Sequence, residues 1–244
     1  LIEIDCGDHR GGLPPHSEDI LEIAAILDSG PARLRGVLTH AGHSYGVNTP
    51  DAVAQIAEQE RAAVVGAADR LRQAGYAVDV VSVGSTPTAL FANDLDGVTE
   101  LRAGVYTVFD MDQQARGVCD TGEIAMSVLT GVIGHNREAG KLLLDAGGLA
   151  LSKDRSADHF RPEVGYGQLC DAAGVLIPDL YVTSVSQEHG HVRVRDAGDF
   201  DAFPVGAQLR VLPVHACMTA AAYDYFNVLE QDRIADRWDR VNGW

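Results

Sequence analysis

Strand-like and helix-like hydrophobic patterns take turns along the first 110 residues of the chain, and that alternation restricts the fold more than any other feature. Residues 1–5, 34–39, 78–83 and 98–101 read as strands, and 105–109 is strand-like as well. Between the first two, residues 17–27 read as a helix with Ser17 as its cap, Glu18 and Asp19 in its first turn and Gly30 just past its end. A second helix opens at Thr49-Pro50 and stops before Gly75. Its apolar face includes Val53, Ile56, Val64, Ala68 and Leu71 at steps of three, four and longer. A short segment, 89–93, follows Gly84-Ser85-Thr86-Pro87-Thr88. Such alternation is the signature of parallel βα units.

Beyond Asp110 the pattern changes. Segments 125–133, 141–144, 181–186, 191–194 and 208–211 are short and β-rich, with glycine, proline and acidic turns between them and little room for connecting helices. A first domain over 1–110 and a second, mostly antiparallel domain over 111–244 follow from this. Residues 223–238, with Phe226 and Leu229 as an apolar seam, read as a terminal helix. Residue 1 already lies in a strand pattern with no leader before it, so the sequence reads as cut at its start.

Composition then excludes several classes. A chain of 244 residues with 46% hydrophobic and 22% charged side chains suits a globular protein with a substantial core. No window approaches the roughly 20 apolar residues of a membrane span. The 35 acidic against 19 basic side chains, a net charge of -16, repel phosphodiester backbones and anionic lipid, so neither nucleic acid nor membrane is the expected partner. Cys6, Cys119, Cys170 and Cys217 lie far apart without a C-x-x-C pair. That spacing argues against an iron-sulfur cluster, a zinc ribbon or a redox dithiol, and a reduced, cytoplasmic protein is expected.

In parallel βα architecture ligands gather at the carboxyl ends of strands. Four such ends carry polar groups here: residues 5–10, 40–45, 84–88 and 102–106. The Gly84-Ser85-Thr86-Pro87-Thr88 turn can offer N–H groups and hydroxyls to a phosphate, and Arg102-Ala103-Gly104-Val105 can do the same beside a cation. Taken alone, each stretch is explained somewhat better by a plain turn. Asp5 and Arg10 form an ion pair that fixes a loop, or belong to a site. His215 and Cys217, at i and i+2 of an extended chain, project to the same side and can chelate zinc. A hydrogen-bonded histidine and a buried cysteine account for the same pair. Gln187-Glu188-His189-Gly190-His191 can ligate metal, move protons or form a solvated hairpin, while Asp154, Arg155, Asp158 and His159 read as an exposed loop.

Six motifs then recur in one order. Ile4-Asp5-Cys6-Gly7 through Arg10-Gly11, Thr39-His40-Ala41-Gly42-His43-Ser44-Tyr45, Val83-Gly84-Ser85-Thr86-Pro87-Thr88, Glu100-Leu101-Arg102-Ala103-Gly104-Val105-Tyr106, Ser186-Gln187-Glu188-His189-Gly190 and Pro213-Val214-His215-Ala216-Cys217 resemble the D-serine dehydratase and D-threonine aldolase family over essentially the whole chain. The resemblance implies an α/β plus β fold: part of an alanine racemase-like (β/α)8 barrel, about strands 5 to 8, followed by a mostly antiparallel β domain.

It implies pyridoxal 5'-phosphate as cofactor, with Gly84, Ser85, Thr86, Gly104, Val105 and Tyr106 at the phosphate and Arg10, His40, Tyr45 and Arg102 at the ring. His215 and Cys217 are implied as ligands of zinc, or alternatively manganese, and act through it in catalysis alongside Tyr45 and Arg10. Cys217, where the aldolase branch tends to have aspartate, points to dehydration of D-serine to pyruvate and ammonia. Retro-aldol cleavage of D-threonine is the alternative. The Schiff base lysine of the family belongs to an amino-terminal stretch with no counterpart here, and Lys141 and Lys153, the only lysines, match β-domain positions. The resemblance therefore implies a lyase as the parent protein, a homodimer acting on a small D-amino acid. For these 244 residues alone, a noncatalytic pyridoxal phosphate-binding protein or an inactive fragment is the rival class.

Overall fold

The structure, a computed structural model, describes residues 1–231 and 233–241. The chain divides into two compact units: Leu1–Tyr106 with Arg116–Val118, and Thr107–Ala115 with the chain from Cys119 onward.

The first unit is a four-stranded parallel sheet in the order β1-β2-β3-β4, with β1 at Ile2–Glu3, β2 at Gly36–Leu38, β3 at Val80–Val83 and β4 at Glu100–Leu101. Ile2 pairs with Val37, Val37 with Val81, and Val83 with Leu101. Helix α1, Asp19–Ser29, connects β1 to β2, and α2, Pro50–Gln73, connects β2 to β3. The Thr49 hydroxyl accepts the Ala52 N–H at 3.4 Å, and Pro50 starts α2 where a missing N–H costs nothing. Ile20, Val64, Ala68 and Leu71 of the two helices pack with Ile2, Ile4, Val37 and Val81 into one core. Parallel strands need such helical crossovers, which is why the sequence alternates as it does.

Two readings in this unit change. Helix α3, Thr86–Phe91, starts inside the Gly-Ser-Thr-Pro-Thr stretch, because Ser85 and Thr88 form a reciprocal capping box and Pro87 falls in the first turn. Residues 105–109 do not extend a strand: Val105–Thr107 is a 3-10 turn and Phe109 has φ 50°.

The second unit is a closed six-stranded antiparallel barrel in the order β10-β5-β6-β9-β8-β7. Its strands are β5 at Val128–Asn136, β6 at Lys141–Leu144, β7 at Gly167–Asp171, β8 at Leu176–Val185, β9 at Gly190–Arg193 and β10 at Gln208–Pro213. Alternating residues fill it: Leu142, Leu144, Leu180, Val182, Val192 and Val211 are buried. Strand β7 escaped the sequence reading because Gly167, Gln168 and Cys170 hide its apolar face.

The expected terminal helix over 223–238 is a hairpin instead, β11 at Tyr225–Glu230 against β12 at Arg233–Asp239. Tyr225, Phe226 and Val228 in one arm and Ile234 and Trp238 in the other suit strands, Gln231 adopts φ 58° in the turn, and Arg237 stacks over Tyr225 at 3.8 Å. No helix among the described residues is long and apolar enough to cross a membrane.

Leu142, fully buried and paired with Val192, tests the barrel packing. Leu142→Ala lowers the unfolding free energy by about 2–5 kcal/mol in urea titrations followed by circular dichroism.

Candidate active site

Because β1 to β4 run parallel, the loops after them emerge at one end of the sheet of the first unit. After β2, His40 donates from Nδ1 to the Gly84 carbonyl at 2.6 Å. After β3, Gly84 takes φ +152°, and a Cβ there would lie 2.4 Å from the Arg102 carbonyl oxygen. Only glycine fits this approach. The capping box absorbs the N–H groups of Ser85 and Thr88, leaving that of Thr86, the first of α3, without a partner inside the helix.

The Thr86 hydroxyl accepts the Tyr106 N–H at 3.2 Å, tying residues 84–86 to 104–106. Arg102 donates to the Thr39 carbonyl at 2.7 Å and to the Ser82 hydroxyl. No side chain or backbone atom lies within 4 Å of where a Gly104 Cβ would be. Two backbone turns joined by a hydrogen bond thus meet at the strand ends, and this set suits an anionic phosphate ester. Tyr106 also lines a shallow apolar depression with Leu90 and Leu101.

Other expected residues are placed differently. Asp5 pairs with His9, not Arg10: its carboxylate accepts the N–H groups of Gly7 and His9 at 2.9 and 3.0 Å and the His9 ring at 2.8 Å. The Gly7 N–H above all holds the Asp5 carboxyl down to about 2, with partial burial opposing and His9 assisting. Arg10 lies at the surface 3.9 Å from Glu3. Tyr45 packs under the Arg116 guanidinium at 5.3 Å. Residues 42–46 also spell a Gly-x-Ser-x-Gly pattern, but they form a 3-10 turn in which Ser44 is fully buried, 3.3 Å from the Ser85 hydroxyl, so no exposed nucleophile results.

One residue escaped the sequence reading. Glu60, on α2 and only 2% exposed, accepts the N–H groups of Ala41 at 3.1 Å and Gly84 at 3.0 Å on a single carboxylate oxygen. The signal was the long step from Ile56 to Val64: residue 60 occupies the buried stripe where an apolar side chain is expected.

In the second unit, His215 and Cys217 flank the start of the short helix Ala216–Ala220 that follows β10. His215 donates from Nδ1 to the Asp154 carboxylate, which leaves Nε2 as the ring's remaining ligating atom. Cys217 beside it and Asp154 push the His215 pKa up to about 9 against the opposing effect of burial. Asp110, buried, accepts the Ala216 N–H at 2.8 Å and the Gln113 N–H at 2.9 Å, and burial raises its carboxyl to about 6. The residue between the two soft donors is therefore anchored.

A histidine held by a carboxylate through one nitrogen and set beside a thiol is a donor arrangement that fits zinc, with Asp154 as the outer partner. Among the described residues no three His, Cys, Asp or Glu side chains form a ligating group. The Gln187–His191 cluster turns out to be the β8–β9 connection, with His191 Nε2 3.1 Å from the Ser186 hydroxyl and its pKa lowered first by burial. Lys141 lies on β6 and Lys153 beside Gly148, both in this unit.

Comparison with known proteins agrees with both halves. Residues 1–112 match the alanine racemase N-terminal domain family, and residues 125–229 match the putative serine dehydratase domain family. The chain is 46% identical over its whole length to the D-threo-3-hydroxyaspartate dehydratase of Delftia sp. (strain HT23) and covers 65% of that protein. It is 32% identical over 95% of its length to the D-serine dehydratase of Dictyostelium discoideum, covering 61% of it. Against the D-threonine aldolase of Arthrobacter sp it is 28% identical over 98% of its length and covers 59%. The solved Delftia dehydratase superposes with a TM-score of 0.94 over 99% of the chain and 65% of that structure. The same dehydratase has been solved as a Cys-to-Ala variant in the metal-free form. The chain thus spans less than two thirds of the length of these relatives.

The Asp5 turn provides a pH signature. Asp5 is more acidic folded than its ordinary value of 3.8, so its contribution to stability is complete above pH 3.8 and is lost as pH falls through about 2. Carboxyl carbon NMR should show Asp5 titrating at about 2, and Asp5→Asn should remove this share of acid sensitivity.

Proposed function

Since the chain belongs to the D-serine dehydratase and D-threonine aldolase family of alanine racemase-like proteins, we propose that it serves a pyridoxal phosphate- and zinc-dependent lyase that eliminates water from D-β-hydroxy amino acids. The observation that carries this reading is the His215-Asp154 pair beside Cys217, which offers a soft two-ligand site with a buttressed imidazole. When bound, pyridoxal phosphate provides an electron sink for the amino acid Cα, and zinc a Lewis acid for the β-hydroxyl.

The chain's own residues then have distinct tasks. The turns at residues 84–86 and 104–106 would receive the phosphate, with the Thr86 N–H as one donor, while Arg102, and His40 that holds the Gly84 carbonyl, would support the cofactor ring. His215 through Nε2 and Cys217 through sulfur would hold zinc, with Asp154 keeping the Nδ1 proton in place and Nε2 giving up to the metal's displacement the proton that it otherwise carries below about pH 9. Arg10 and Tyr45 complete the proposed cofactor surroundings. A cytoplasmic homodimer belongs to the same reading.

D-Serine is the substrate proposed first. The name of the Delftia relative adds D-threo-3-hydroxyaspartate as a second compound to assay. Cleavage to glycine and an aldehyde, as the name of the Arthrobacter relative suggests, is the alternative reaction. Cys217 at the second ligand position and the higher identity to two dehydratases favour elimination.

His215→Ala or Cys217→Ala, made in the whole protein, should strip zinc to near zero by atomic absorption and cut β-elimination by about 100-fold or more. The cofactor's visible absorbance should persist. Metal content equal to that of the unaltered protein would overturn the ligand assignment.

A further inference from the structure

The apolar stripe of α2 is interrupted once, by a carboxylate that is 2% exposed. Burying Glu60 among Ile56, Ala57 and Val64 is costly unless its oxygens are paired. Glu60 reaches across to the sheet and, with one oxygen, accepts from Ala41 after β2 and from Gly84 after β3. Both N–H groups are buried at strand ends where the ladder has stopped, so each needs an acceptor from elsewhere.

Gly84 is held at both of its polar atoms: Glu60 takes its N–H, and His40 donates to its carbonyl at 2.6 Å. Ala41 is the residue after that same histidine. Helix α2 therefore ties together two loops that the His40 ring and the Ser44 and Ser85 hydroxyls also join. Residue 84 has no lateral freedom, because Arg102 crosses it closely and its φ of +152° excludes a side chain. The turn that follows, Ser85 and Thr86, inherits that position.

We infer that Glu60 is a positioning residue for the phosphate turn, linking the loops after β2 and β3 so that the Thr86 N–H at the start of α3 is held in one fixed place for a phosphate ester, with the His40 ring fixed beside the same turn. This inference rests on the reading that residues 84–86 and 104–106 hold the phosphate of pyridoxal phosphate. Glutamate suits the task because its side chain is long enough to span from α2 to the sheet, and one anionic oxygen accepts two N–H groups at once. Glutamine keeps the acceptor oxygen, whereas alanine leaves two buried donors unpaired.

The test compares the dissociation constants of pyridoxal phosphate and of pyridoxal, which lacks the phosphate, for the unaltered chain, Glu60→Gln and Glu60→Ala. Fluorescence quenching gives the constants, and circular dichroism gives the folded fraction. Glu60→Ala should lose pyridoxal phosphate affinity by roughly 10- to 100-fold while pyridoxal affinity stays the same. Glu60→Gln should restore pyridoxal phosphate affinity to within about threefold. Glu60→Ala with unaltered preference for the phosphorylated ligand would overturn the inference, as would parallel loss of both ligands in Glu60→Ala and Glu60→Gln. If the unaltered chain itself does not distinguish the two ligands, the phosphate turn is wrongly placed, and the role given to Glu60 falls with it.

Discussion

Parallel pairing is the constraint from which the first unit follows. Once β1, β2, β3 and β4 run the same way, every crossover must return along a helix or long loop, and every strand ends on the same edge of the sheet. Chemistry dispersed over residues 39–106 is thereby collected: Thr39 and His40, Gly84 to Thr86, and Arg102 to Tyr106 are successive strand endings. The hydrogen bonds that join them, from Arg102 to the Thr39 carbonyl and from the Tyr106 N–H to the Thr86 hydroxyl, exist only because the strands stop in register. Strand ends also leave backbone groups without a ladder, and Glu60 satisfies two of these from the helix side.

The second unit solves a different problem. Six antiparallel strands close on themselves, which removes the exposed edges of a small sheet and leaves the inward residues to fill the interior. The proposed metal ligands lie where β10 leaves this barrel. Pro213 ends the strand, and the chain turns at His215 into a short helix whose first residue, Ala216, is held by the buried Asp110 carboxylate. Asp154, 61 residues earlier, reaches the same turn and fixes the imidazole. The two soft donors gain their orientation from carboxylates that belong to neither strand nor helix of their own segment.

Much of this was legible in advance. Periodicity located α2 between Thr49 and Gly75, found β6 at both ends and separated the βα part from the β-rich part, because burial on one face imposes a repeat that local sequence must carry. Where side chains are small or polar on the buried face, as in β7, that repeat vanishes. The terminal hairpin was misread because Phe226 and Leu229, three apart, satisfy a helical spacing as readily as a strand arm, and only the pairing of Phe226 with Trp238 decides between them. Ion-pair partners were no more predictable: Asp5 turned to the nearer N–H groups and ring of residues 7–9, since a carboxylate at a tight turn reaches local donors first.

The amino-acid sequence by itself determined the alternation of strands and helices up to residue 101, the four polar strand endings and the His-x-Cys pair, because each is written in residues adjacent or a few positions apart. Only the tertiary structure decided that Glu60 receives Ala41 and Gly84, that Asp154 holds His215 and that Tyr106 meets Thr86. Those contacts join segments up to 61 residues apart. A buried polar group is paired with whatever donor or acceptor the packing of distant strands and helices brings within about 3 Å of it, and no local pattern records that distance.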